Sequence, residues 1–210
     1  MLKLPVQREF TFHGGRRKGA GRPKGNRVSH DARPVFSKPT PAHLTLRVRE
    51  DVPGLRSSRR FAAIRRCFAK ANQRRHFRLV KFSVLGNHLH LIVEADDSVV
   101  LSRGMQGLGT RLAKALNRLL GRKGTLFEDH YHSHLLKSPT EVANALAYVR
   151  TNAERHYGGI ETDYFSSEHP EWRELLASPI TWLLNVGWRL ARRKRPAASI
   201  SFNESETYSR

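Results

Sequence analysis

In "HLTLRVRED" (43–51), Leu44, Leu46 and Val48 alternate with polar residues, the two-residue period of a strand with one buried face. "VPG" at 52–54 interrupts it. The period then lengthens. Within "SSRRFAAIRRCFAKANQRR" (57–75), Phe61, Ile64, Phe68 and Ala71 fall on one helical face behind a serine N-cap. "FRLVKFSVLGN" and "HLHLIVEA" return to strand character and are separated only by Gly86-Asn87, a tight-hairpin composition. A second helix is predicted over about 99–120, with Met105, Leu108, Leu112, Leu116 and Leu119 inward and "GRKG" as its stop. "YHSHLL" (131–136) reads as a fourth short strand. Ser138, Pro139 and Glu141 then supply the N-cap, first-turn proline and capping box of a third helix.

The order β-α-β-β-α-β plus a helix predicts an α+β, ferredoxin-like (RRM-like) domain, an antiparallel sheet with helices on one face. Its other face is expected to stay open. Three segments follow: a basic arm (1–40), a folded domain (41–158), and an aromatic-rich extension with a polar tail (159–210).

Within the hairpin, "FSVLGNHLHLIVEAD" places His88 and His90 two residues apart, and therefore on one face of a strand. Alternation carried through the hairpin assigns Phe82, Val84 and Ile92 to that face, and Leu85, Leu89, Leu91 and Val93 to the packing face. Two adjacent imidazoles can ligate a divalent cation through neutral ring nitrogens. A further donor must come from elsewhere. The third helix docks through Val142, Leu146, Val149 and Ala153, while Tyr148 and Asn152, four apart, lie side by side on another face. An amide oxygen is a hard ligand and a phenol is a nucleophile, so Tyr148, Asn152 and the histidine pair together would make a reaction centre.

Charge narrows the partner. Lys and Arg number 38 against 18 acidic residues, a net +20, which points first to nucleic acid. The first 40 residues hold ten Lys and Arg against two acids, with Gly and Pro throughout and no apolar period. They read as a disordered arm that binds phosphates through Arg16, Arg17, Lys18, Arg22 and Lys24. "GAGRPKG" in its centre is like the Arg-Pro clamps of narrow A·T-rich minor grooves. Arg65 and Arg66 on the first helix, Arg111 and Lys114 on the second, and His132 are further candidate DNA contacts. No apolar run reaches membrane-spanning length. The single cysteine, Cys67, excludes an intrachain disulfide and a cysteine-built zinc site, in keeping with a reducing, cytoplasmic location.

"NHLHLIVEA", with Leu89 between the histidines, resembles the HUH motif of single-strand DNA endonucleases. "GTLFEDHYHSHLL" followed by "ALAYVRTN" resembles the single-tyrosine HUH transposases, in particular the REP-associated tyrosine transposases, over about residues 43–157. The resemblance implies that His88, His90 and Asn152 are metal ligands and Tyr148 the nucleophile. Many relatives place Gln at the amide position, and Asn is one methylene shorter. It further implies cleavage and rejoining of single-stranded DNA near hairpins, with Mg²⁺ or Mn²⁺ and a 5′-phosphotyrosine intermediate, without a nucleotide cofactor. The expected protein is a bacterial, nucleoid-associated monomer or homodimer.

Simpler readings stand beside these. His-x-His occurs on many strands as satisfied structural histidines, and a tyrosine at Tyr148 can be a packing residue. His130, His132 and His134 also have strand spacing, but no amide-bearing helix pairs with them. The arginine rows can be solvated helix faces. Trp172, Trp182 and Trp188 can pin the extension rather than stack on bases. As a whole, the chain can also be read as a non-catalytic single-strand nucleic-acid binder on the same fold.

Overall fold

The computed structural model describes residues 33–158 and 162–194. Arg16, Arg17, Lys18, Arg22 and Lys24 lie outside the described residues. The elements are β1 (Thr40–Arg47), α1 (Ser58–Asn72), β2 (Phe77–Val84), β3 (His88–Ala95), α2 (Ser98–Leu120), β4 (His132–Leu135), α3 (Pro139–Tyr157) and α4 (Trp188–Lys194). All strand pairs are antiparallel, in the order β2-β3-β1-β4, the arrangement the element order predicts.

The helix starts follow from their caps. Ser57 accepts from the Arg60 N–H and Asp97 from that of Val100, and Ser138 and Glu141 form a reciprocal capping box. α1 and α2 pack Phe61, Ile64, Phe68, Met105, Leu108 and Leu112 against one sheet face, on which Leu44, Phe82, Leu89 and Leu91 are fully buried. Gly104 permits the close approach of α2 to β2, since a Cβ there would sit 2.3 Å from the Phe77 ring.

Two expectations about the sheet are overturned. First, Phe82 and Val84 do not share the histidine face. Val84 pairs with Leu89 and Ser83 with His90, because the hairpin closes at Leu85 and His88 (Leu85 N–H to the His88 carbonyl, 2.9 Å) around the two-residue loop Gly86-Asn87, which sets even positions of β2 opposite odd positions of β3. A bulge between Leu79 and Lys81 shifts the register again, and Val80 joins the far side of the sheet. Second, the histidine face is not open over β2 and β3. α3 lies over β2 and β3 there and builds a second apolar cluster, with Val80, Ile92, Leu136, Val142, Ala145, Val149 and Leu184. Ile92 is the anchor that lets the α3 stripe dock on this face.

The extension also packs. Backbone bonds Ser167 N–H to Phe82, Ala177 N–H to Leu79 and Val84 N–H to Phe165, each 2.9 Å, cover the edge of β2. Arg56 clamps Asp163 at 2.6 and 3.0 Å, and Trp172 is buried beside Phe61. Glu94, fully buried on β3, accepts from the backbone N–H groups of Ile180 and Thr181 at 2.7 and 2.9 Å and from the Thr181 hydroxyl. It thereby fixes where the C-terminal helical segment begins. At the other end, Phe36 packs against the main core and its carbonyl accepts from Ser98 N–H. Residues 33–39, assigned above to the arm, are attached to the folded body.

Candidate functional site

Pairing across the sheet decides which side chains meet. In the register, Thr45 faces both His90 and His132, Arg47 faces His88, and His43 faces both Ile92 and His134. One sheet face therefore carries His43, His88, His90, His132 and His134. The half under α3 is closed and the β4 half is exposed, with His132 and His134 at the surface.

In the closed half, His88 and His90 are 8 % and 3 % exposed. Their rings stand nearly perpendicular with centroids 4.8 Å apart. His90 Nδ1 lies 3.2 Å from Thr45 Oγ1 and His88 Nδ1 lies 2.6 Å from Asn87 Oδ1. α3 brings Tyr148 down edge-on to His90, with ring centroids 4.9 Å apart. Asn152, one turn on, is fully buried, and neither its amide oxygen nor its nitrogen has a hydrogen-bond partner among the described residues. The same holds for His90 Nε2. Thus three of the residues singled out by spacing, His88, His90 and Tyr148, meet, and Asn152 is buried one helical turn from Tyr148.

The sequence reading missed two members. His43 is buried, stacks on His90 at 5.3 Å and approaches Tyr148 at 5.7 Å. His156 continues the Tyr148–Asn152 line by one more turn and reaches the His88 ring at 6.0 Å. Both were visible in principle, His43 as the first polar-face residue of β1 and His156 by its i+4 spacing. Arg155, whose guanidinium lies 5.8 Å from the Tyr148 ring centre, brings a cation to the mouth.

The site stabilises neutral imidazole. Burial pushes His43 down to about 4, with help from His134 and His132. Burial, then His156 and Arg47, pushes His88 down to about 4. His90 lies well below the usual range, again chiefly through burial and then through His43, His88 and His156. Neutral rings offer lone pairs to a cation. Burying polar atoms without partners is costly, on the order of 1–3 kcal/mol each, and such costs collect at functional sites. Among the described residues no three His, Cys, Asp or Glu side chains form a metal-holding group. A divalent cation here would draw on the Asn152 amide as well as the two imidazoles, and the orphaned Asn152 and His90 atoms fit that donor set.

The proposed DNA contacts on the helices do not gather around this centre. α1 and α2 cover the opposite sheet face, so Arg65, Arg66, Arg111 and Lys114 sit on the far layer. Arg65 stacks on the Trp172 ring at 4.0 Å and helps hold the extension. Arg66 and Lys114 are exposed. His132 is on the same sheet face as the histidine pair, beyond β1. Trp188 packs against the second cluster, whereas Trp182 is 55 % exposed.

The family of transposases described as "Transposase IS200 like" matches residues 41–152. The chain belongs to the IS200-like transposase family. Membership makes transposition and DNA binding the coarse function of this IS200-like protein. Among solved structures, it is similar to a REP-associated tyrosine transposase bound to a REP hairpin, with a TM-score of 0.56 and 16 % identity over 73 % of this chain and 94 % of that one. At such identity the likeness establishes the fold. A looser likeness, TM-score 0.41 and 12 % identity over 63 % of this chain and 99 % of the other, is to a Deinococcus radiodurans protein assigned as a transposase. The search of curated proteins finds no match. No helix among the described residues is long and apolar enough to cross a membrane.

Proposed function

We propose that this IS200-like protein is a metal-dependent endonuclease and strand transferase that cuts and rejoins single-stranded DNA beside hairpins through Tyr148. The observation that carries this reading is the pair of orphaned buried groups, the Asn152 amide, unpartnered at both atoms, and the unpartnered His90 Nε2, with the Tyr148 ring one helical turn from Asn152 and edge-on to His90 at 4.9 Å. Packing alone gives no reason to bury those atoms unsatisfied. The hairpin held by the REP-associated relative supports hairpin DNA as the substrate class here.

His88, His90 and Asn152 would hold Mg²⁺ or Mn²⁺, which supplies Lewis-acid neutralisation of charge on the phosphodiester. The rest of the step belongs to the chain. Tyr148 Oη bonds to phosphorus as its proton leaves, the bond from phosphorus to the 3′-oxygen breaks, and that oxygen takes up a proton. The product is a 5′-phosphotyrosine and a free 3′-hydroxyl. The reverse reaction with another 3′-hydroxyl rejoins strands with no nucleotide cofactor. α3 aligns the attacking oxygen because its Val142, Ala145 and Val149 stripe is fixed on the sheet.

Labelled single-stranded hairpins incubated with the protein and Mn²⁺ test the reading on denaturing gels. The native protein is expected to yield cleaved strand and a covalent protein–DNA species, and Tyr148→Phe neither. Tight hairpin binding by the native protein without any cleavage would favour the non-catalytic binder instead.

A further inference from the structure

The β2–β3 turn carries a side chain that the proposed reaction leaves unused. Asn87 Oδ1 faces His88 Nδ1 at 2.6 Å. A carboxamide oxygen can only accept a hydrogen bond, so the ring nitrogen opposite must carry the proton, and Nε2 keeps its lone pair. Asn87 is solvent-exposed and belongs to neither apolar cluster, so packing does not account for it. Its backbone is nevertheless held firmly. The Asn87 carbonyl accepts from Val48 N–H at 2.9 Å and the Gly86 carbonyl from Leu55 N–H at 2.6 Å. The Gly86 N–H donates to the Tyr157 hydroxyl at 2.8 Å, which ties the end of α3 to the same turn. His90 has only a hydroxyl beside its Nδ1, and a hydroxyl can either accept or donate. His88 is therefore the ring whose state is dictated by its neighbour.

We infer that Asn87 is a positioning residue that selects the Nδ1–H tautomer of His88 and so presents its Nε2 lone pair to a divalent cation. The cation rests on the function proposed above; the tautomer does not. Partners of this kind orient metal-binding histidines, and losing one typically costs 10- to 100-fold in metal affinity. Without Asn87 the ring reverts to the Nε2–H form that histidine favours in water, and its donor nitrogen is blocked.

Long-range ¹H–¹⁵N NMR of histidine in the metal-free full chain, at mildly alkaline pH, reads which ring nitrogen is protonated. His88 is expected as Nδ1–H in the native protein and in Asn87→Asp, whose carboxylate still accepts, and as Nε2–H in Asn87→Ala. Calorimetric titration with Mn²⁺ should show affinity reduced about tenfold or more in Asn87→Ala and retained in Asn87→Asp. Nε2–H in the native protein, or a tautomer or Mn²⁺ affinity unchanged in Asn87→Ala, overturns the assignment. If the tautomer responds as expected but the native protein binds no Mn²⁺, the positioning of the ring stands and the metal-dependent function fails.

Discussion

The two faces of the sheet bury their residues for different reasons. Against α1 and α2 the buried side chains are overwhelmingly apolar, and Leu44, Phe82, Leu89 and Leu91 pack with no exposed surface. Beneath α3 an equally dry layer encloses His43, His88, His90 and Asn152. One face gains free energy by removing carbon from water, about 25 cal/mol per Å². The other gives up hydration of polar atoms, and for His90 Nε2 and both Asn152 amide atoms no hydrogen bond among the described residues replaces it. The first face makes the fold, and the second buries polar groups at the expense of stability.

Substitutions should separate the two faces. Phe82→Ala removes a fully buried ring from the helix-side core and is expected to cost about 3–5 kcal/mol in urea unfolding. His90→Ala should change stability by less than about 1 kcal/mol, yet lower strand cleavage by three orders of magnitude or so while hairpin affinity stays within about twofold. A His90→Ala protein as unstable as Phe82→Ala would mean that the histidine face is ordinary core.

Glu94 sharpens the contrast, because it is a buried polar group of the α3 face whose partners are in place. Glu94→Ala leaves the N–H groups of Ile180 and Thr181 without their acceptor, at an expected cost of about 2–3 kcal/mol. Hydrogen exchange should then accelerate over 180–194 before it does in β1 or β3. Uniform acceleration would contradict this anchoring role.

Proton linkage separates the faces again. The unfolded chain protonates His43 and His88 near 6.5, whereas the folded chain holds both near 4. Between those values the unfolded state binds protons that the folded state refuses. Stability is therefore fully present above about pH 6.5 and falls as pH drops toward 4, by up to about 1.4 kcal/mol per pH unit for each proton. Denaturant melts at pH 7 and pH 5 measure this, and His43→Gln should flatten the slope. A pH-independent midpoint would show that the rings titrate normally in the fold.

The smallest effect concerns neither face. Removing residues 1–32 takes away eight Lys and Arg. It should weaken DNA affinity and reduce the salt slope by about 0.7–0.9 for each phosphate that the arm neutralises, leaving stability unchanged. An unaltered salt slope would show that this arm does not touch phosphates.

Much of this was legible in the chain. Caps at Ser57 and Ser138, the α2 stripe and the alternation around Leu44 each reflect local physics that acts within a few residues. His88 and His90 share a face because strand alternation is strict, and Tyr148 and Asn152 because a helix repeats every 3.6 residues. What failed was phase across a boundary. The two-residue loop Gly86-Asn87 sets Leu85 opposite His88, so even positions of β2 face odd positions of β3, and one alternation carried straight through the hairpin misplaced Phe82 and Val84. The closure of the histidine face depended on Ile92 and Leu184 meeting α3, a long-range contact. His43 went unnoticed because β1 and β3 are more than 40 residues apart and only the register joins them. Basic residues on α1 and α2 were read from charge, which carries no information on which side of the sheet a helix lies.

Proteolysis and mass spectrometry of the covalent product of native protein and labelled hairpin identify the side chain that attacks the DNA. A single modified peptide from α3 is expected, with the 5′-phosphate of the DNA on Tyr148 and a free 3′-hydroxyl on the released strand. DNA on Tyr131 or Tyr157, or a 3′-phosphate linkage, would contradict this expectation.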